Sequence, residues 1–209
     1  MEILSHRGYW LEAQEKNTAG AFARSFHKGF GTETDIRDLT EQLMIAHDSP
    51  TVDSLPAEIF LDIHRCLAPD VPLALNIKAD GLQQRLKELV ESFGVKNYFV
   101  FDMSIPDTLG YLRQGFPVFT RQSEYEMEPP VYEQAVGVWM DCFLDDWYSE
   151  EDIAKHLDAG KKVCLVSPEL HRRDHRPLWD RLAGMSVVRQ PELMICTDLP
   201  EDARRYFDG

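Results

Sequence analysis

Thiols, long apolar runs and positive charge are all scarce in this sequence. It has four cysteines in 209 residues, Cys66, Cys142, Cys164 and Cys196. None of them stands in a CxxC spacing, which argues against a disulfide scaffold or a thiolate metal centre. Three of the four lie in apolar, strand-like runs, and the set reads as buried free thiols in a reducing compartment. No apolar run approaches the roughly 18 residues of a membrane-spanning helix. Ser5-His6-Arg7 interrupts the apolar start at Ile3-Leu4, so no targeting segment is expected and the chain reads as cytoplasmic. No repeat, low-complexity tract or composition shift marks a boundary, so residues 1–209 are expected to form a single domain. Lys and Arg number 22 against 36 Asp and Glu, a formal net charge of -14. Such a surface repels nucleic acid and anionic membranes, and neither is expected as a partner. A small anionic ligand remains compatible with this charge, provided local cations overcome the global field.

What is present is a folded chain: 44% hydrophobic and 11% aromatic residues suit a globular core. Short apolar runs occur at Glu2-Ser5, Gly31-Ile36, Leu73-Lys78, Tyr98-Phe101, Pro117-Thr120, Val136-Asp141, Lys162-Val166 and Leu193-Thr197. Helical patterns separate them. Asn17 is expected to cap a helix through Lys28, with Phe22 and Phe26 on one face and Gly29 as its stop. Leu82, Leu86, Leu89 and Phe93 form the stripe of another helix, closed by Gly94. Ser149 and Asp152 make a capping box, and Pro200 suits a first helical turn. Eight strand–helix alternations predict an α/β fold with parallel strands, most simply a TIM-like (β/α)8 barrel; an open doubly wound sheet is the alternative. Arg37 to Val71 is longer than a simple connection. It contains a hairpin-like run, Leu43-Ala46, and a helix from about Pro56 to Leu67, and reads as a short insertion after the second strand.

The strand runs end in polar residues. The first runs into His6-Arg7-Gly8. Glu33 and Asp35 are two apart on the second, as are Asn76 and Lys78 on the third, and a period of two puts each pair on one face. Asp102, Asp141, Ser167-Pro168-Glu169 and Thr197-Asp198 end later runs. In a barrel, these ends gather at the catalytic face. Two carboxylates on one strand face repel unless a cation lies between them, and oxygen donors select a hard ion, Mg2+ or Ca2+. His27, His64 and His156 fall on helices and read as surface residues. His171 and His175 lie in a charged loop after the seventh strand, within reach of the mouth. Trp139 and Asp141 alternate on the sixth strand and face either the cavity or the helices.

In order, the chain carries His6-Arg7-Gly8, Asn17-Thr18, Glu33-Thr34-Asp35 within a Gly-rich approach, His47-Asp48, Asn76-Ile77-Lys78 and Thr197-Asp198-Leu199-Pro200. This series resembles the glycerophosphodiester phosphodiesterase family, of the phospholipase-C-like barrel superfamily. The resemblance spans the chain, with its specificity in the first 48 residues.

The resemblance implies a metal-dependent phosphoric diester hydrolase acting on a small phosphodiester, with a glycerophosphodiester as the favoured case. It implies His6 and His47 as the acid–base pair, Arg7 and Lys78 as grips on phosphate oxygens, and Glu33 and Asp35 as metal ligands. The family has a glutamate where this chain has Asn76. Asparagine can still ligate through its carbonyl oxygen, and Asp102 is the alternative donor of a third carboxylate. A protein that binds a phosphate ligand without turnover, and an enzyme that stops at a cyclic phosphate, are the competing readings.

Overall fold

The computed structural model describes residues 1–207. Its strands are β1 Glu2–His6, β2 Gly31–Leu39, β3 Gln42–Ile45, β4 Leu55–Pro56, β5 Leu73–Ile77, β6 Tyr98–Phe101, β7 Phe119–Gln122, β8 Gly137–Met140, β9 Lys162–Val166 and β10 Leu193–Thr197. Its helices are α1 Ala19–His27, α2 Ala57–Leu67, α3 Gln83–Ser92, α4 Ile105–Arg113, α5 Glu150–Asp158, α6 Arg176–Ala183 and α7 Pro200–Phe207. The β3 and β4 strands pair antiparallel beside the end of β2 and belong, with α2, to the expected insertion. The other strands run parallel in the order β1-β2-β5-β6-β7-β8-β9-β10, and β10 pairs back onto β1. The β6–β7 join is the thinnest: a parallel bridge between Val100 and Val118, with Val100 N donating to Pro117 O at 3.0 Å. With that join the ring closes into the expected eight-stranded barrel.

Alternation along each strand divides the core. Leu4, Ala74, Phe99, Phe101, Phe119, Trp139, Cys164, Val166, Met194 and Cys196 point inward and fill the barrel. Phe99 stacks on Phe119 at 3.7 Å and Phe101 on Trp139 at 4.0 Å. A Cβ on Gly137 would come within 2.4 Å of the Phe119 ring, so glycine is what lets that stack form. The outward residues, such as Ile36, Leu75 and Val100, pack beneath the helices. The interior is therefore solid, and any cavity must lie above it, at the strand ends.

Several expectations need correction. Strand and helix do not alternate eight times: residues 123–136, between β7 and β8, form turns rather than a helix. The fifth barrel strand is Phe119–Gln122, two residues beyond the expected run, because Pro117 has no N–H for the ladder. Thr18, not Asn17, caps α1, its hydroxyl accepting from Ala21 N. Asn17 has φ 60° and turns its amide inward instead. His64 and His156 are buried rather than exposed. His64 Nε2 meets Val71 O at 3.0 Å, and His156 lies between Gln122 Oε1 at 2.8 Å and the Tyr132 hydroxyl at 2.9 Å. Three cysteines are buried as expected, but Cys66, on α2, is exposed. No helix among the described residues is long and apolar enough to cross a membrane.

Candidate active site

The inward register that fills the barrel with apolar side chains turns polar at the C-terminal ends. Beyond Leu4 comes His6, beyond Gly31 come Glu33 and Asp35, and beyond Ala74 come Asn76 and Lys78. Together with Arg7 and His47, all except Asp35 line one cavity of about 300 Å³, with Asp102, Arg121, Trp139, Asp141, Phe143 and His171 on its other sides. Asp35 stands outside that lining, fully buried, with Arg7 Nε 2.9 Å from its Oδ2 and Lys78 Nζ 3.8 Å from its Oδ1. A second hollow, of about 560 Å³, shares Arg7 and His47 and opens toward the insertion. The structure thus brings every residue singled out at the strand ends for phosphate or metal chemistry to one place.

The turn after β1 is what presents Arg7. Arg7 and Gly8 both take positive φ, 59° and 84°, and a Cβ at Gly8 would lie 2.9 Å from Ala21. This reversal sets the Arg7 side chain against Asp35. The Asn17 amide secures the same carboxylate, donating to Asp35 Oδ2 at 3.0 Å while Thr34 Oγ1 donates to Asn17 Oδ1 at 2.9 Å. The inward turn of Asn17 is thus explained by the site rather than by the helix cap.

Glu33 is 2% exposed. Burial, and then the neighbouring Asp35 charge, push its carboxyl up to about 7, against opposing pulls from His6, Arg7 and Lys78. Asn76 Nδ2 donates to Glu33 Oε1 at 3.3 Å. Three buried oxygens are left without a hydrogen-bond partner: Glu33 Oε2, Asp35 Oδ1 and Asn76 Oδ1. Unpaired buried oxygens of this kind suit a hard cation. Asp102 differs, since Lys78 Nζ at 3.1 Å and Arg121 Nη1 at 2.6 Å occupy its two oxygens. Among the described residues no group of three or more His, Cys, Asp and Glu side chains is placed to hold an ion. An ion here requires the amide oxygen of Asn76 as well as the two carboxylates.

The two histidines are held differently. His6 Nδ1 lies 2.7 Å from Asp198 Oδ1, which leaves Nε2 facing the cavity, 3.9 Å from Glu33 Oε2. Burial raises the Asp198 carboxyl, but the His6 hydrogen bond, the His6 charge and Lys16 hold it below its ordinary value. Glu169 braces the same end of β10, its Oε1 accepting from Asp198 N at 3.0 Å and from Thr197 Oγ1. His47 stands on the loop after β3, with a side chain 48% exposed. Its Nδ1 is 2.9 Å from Asp48 Oδ1, and Arg37 Nε donates to its carbonyl at 3.0 Å.

Arg121 and Phe143 line the cavity without having been expected there from the sequence. Asp198 was visible in Thr197-Asp198-Leu199-Pro200, but its partner depends on β10 lying against β1. Arg121 fell outside a strand expected to end at Thr120. Asp141 does face the cavity, and its Oδ1 lies 2.6 Å from His171 Nε2. Phe143 is fixed beside them because Glu124 accepts from the backbone N–H groups of Phe143, Leu144 and Asp145 at 3.2, 2.9 and 2.9 Å.

No family model and no curated protein matches the sequence. Solved structures do match its fold. A glycerophosphodiester phosphodiesterase from Agrobacterium tumefaciens superposes with a TM-score of 0.75 at 16% identity, over 100% of both chains. A phosphodiesterase from Oleispira antarctica, solved with its product sn-glycerol-3-phosphate, gives 0.71 at 13% identity, over 100% of this chain and 97% of that one. A glycerophosphodiester phosphodiesterase from Thermotoga maritima gives 0.66 at 14% identity, over 97% of both. At these identities the likeness establishes architecture: the chain has the barrel fold of the glycerophosphodiester phosphodiesterases over essentially its whole length.

Proposed function

We propose that this chain is, as a single domain, a metal-dependent phosphodiesterase that hydrolyses a small phosphodiester, with a glycerophosphodiester as the favoured substrate. One observation carries the reading. Two cations, two histidines and the unpaired buried oxygens of Glu33 and Asn76 line one cavity at the strand ends of a barrel, and a third such oxygen belongs to Asp35, which both cations contact. The structural neighbours named as phosphodiesterases support the same reaction class.

Glu33, Asp35 and Asn76 would hold the ion, Mg2+ or Ca2+. When bound it would neutralise charge on the phosphoryl oxygens and polarise the phosphorus for attack. Arg7 and Lys78 bind non-bridging oxygens; each also faces Asp35, which keeps its charge at the rim of the ion site. With Asp198 ionised, His6 carries its proton on Nδ1, and Nε2 is free to take a proton from the water whose oxygen forms the new bond to phosphorus. His47 then supplies the proton that the departing alkoxide needs. The electron pair of the breaking P–O bond stays on that oxygen, and the products are a phosphomonoester and an alcohol.

The test is a screen of glycerophosphodiesters with Mg2+, Mn2+ and Ca2+, followed by phosphorus NMR. A metal-dependent monoester product supports the proposal. A cyclic phosphate that persists assigns the chain to ring-forming enzymes. Binding without turnover under all three ions makes it a phosphate-ligand binding protein.

A further inference from the structure

The reaction proposed above uses one side of the cavity. In the ring order, β8 is the fourth strand from β2 counted either way, and β9 is the fourth from β5. The residues that follow β8 and β9 therefore stand directly across from the Glu33–Asp35–Asn76 wall. Eight strands about 4.8 Å apart and tilted by about 36° enclose a ring about 15 Å across. Side chains from both walls line the cavity of about 300 Å³ at the mouth of this ring, a volume that suits a phosphate with a short substituent.

That far wall carries a second histidine–carboxylate pair. Asp141, 7% exposed, follows β8, and its Oδ1 accepts from Cys142 N at 3.0 Å. His171 ends the short turn after β9 and presents Nε2 to the same oxygen at 2.6 Å. With Asp141 ionised, the proton of neutral His171 lies on Nε2, which leaves Nδ1 as an acceptor. The ring is seated on Phe143, centroid to centroid 4.6 Å, and Trp139 lies alongside in the cavity lining. An oriented acceptor between apolar surfaces is suited to a hydroxyl, whose O–H it accepts while the carbon skeleton rests on the rings. An alkyl group there would leave Nδ1 desolvated and unpaired.

We infer that His171, positioned by Asp141, is a specificity-determining residue that accepts a hydrogen bond from a hydroxyl on one alcohol of the diester, so that this wall selects a short polyhydroxy substituent. The inference rests on the phosphodiesterase reading for its substrate class, and the test separates the two. Methyl 2,3-dihydroxypropyl phosphate and methyl propyl phosphate differ only in the hydroxyls. With wild type, kcat/KM should favour the diol diester by about 10- to 100-fold, the scale of one hydrogen bond from a desolvated site. His171→Ala and Asp141→Asn should bring that ratio toward one, mainly through KM for the diol diester. A ratio that persists in both variants overturns the inference, including the case in which both rates fall in parallel. If wild type hydrolyses neither diester with any of the three ions, the phosphodiesterase reading fails by itself. The same two compounds then serve as ligands in histidine-labelled NMR. Movement of the His171 ring signals with the diol diester alone supports the subsite, and equal or no movement with the two overturns it.

Discussion

His6 and Asp198 are separated by almost the whole chain, yet Nδ1 of one lies 2.7 Å from Oδ1 of the other because β10 closes the barrel against β1. The contact fixes which imidazole nitrogen faces the cavity. Replacing Asp198 by Ala should therefore lower kcat by about 10²-fold or more, and His6→Ala by about 10² to 10⁴. The two act as a unit, so the double variant should be little worse than His6→Ala alone. Single-turnover rates of the three variants check this; multiplied losses in the double variant would mean that Asp198 acts independently of His6.

His47 is half exposed and tethered mainly to Asp48, whose own side chain is 96% exposed. If it protonates the leaving group, His47→Ala should cost about 10² to 10⁴ in turnover of an alkyl diester and far less with a p-nitrophenyl leaving group, which departs without a proton. Rates on the two substrates give the answer. Equal losses on both would remove the acid role from His47.

Asn76 supplies the neutral oxygen of the proposed ion site. Asn76→Glu adds a negative charge beside Glu33 and Asp35, so calorimetric titration should show tighter metal binding, while the metal-free variant should melt at a lower temperature than wild type. Turnover need not rise, since a more neutralised ion polarises phosphate less. Asp102→Asn should leave metal affinity close to wild type, because both Asp102 oxygens already accept hydrogen bonds from cations, whereas Asp35 Oδ1 accepts none. The opposite pattern would place Asp102 on the ion and Asn76 off it.

The buried histidines predict a pH dependence of stability. Burial lowers the proton affinity of His64 and of His156 below the ordinary value of 6.5. Each is neutral in the folded protein and binds protons more readily when unfolded, so their contribution is complete above pH 6.5 and is lost as pH falls through the folded values. Urea midpoints should fall on acidification below that point. His156→Gln should flatten the fall; an unchanged slope would mean that His156 is not among the groups responsible.

The barrel was legible because its strands are short apolar runs whose polar ends repeat with a period of two; Glu33 with Asp35 and Asn76 with Lys78 needed nothing more. What the sequence did not disclose depends on which elements become neighbours. His64 and His156 have helical positions and ordinary sequence surroundings, and are buried only because Val71, Gln122 and Tyr132 meet them in space. The turns between β7 and β8 contain no helix, and Glu124 within them serves the loop after β8. Asn17 reads locally as a helix cap, but the adjacent Thr18 takes that role and the site takes Asn17. His171 finds Asp141 only because β8 and β9 are neighbours in the ring.

The most direct measurement is hydrolysis of a glycerophosphodiester by wild type and by Asp35→Asn, with and without a chelator and across a series of Mg2+ and Ca2+ concentrations. Wild-type turnover should vanish with the chelator and return with the ion. Asp35→Asn, folded by circular dichroism, should lose at least about 10²-fold at every concentration, as expected when a charged ligand of a catalytic ion is removed. Wild-type turnover that survives the chelator, or near wild-type activity in Asp35→Asn with the same ion requirement, would contradict a metal-dependent diesterase at this site.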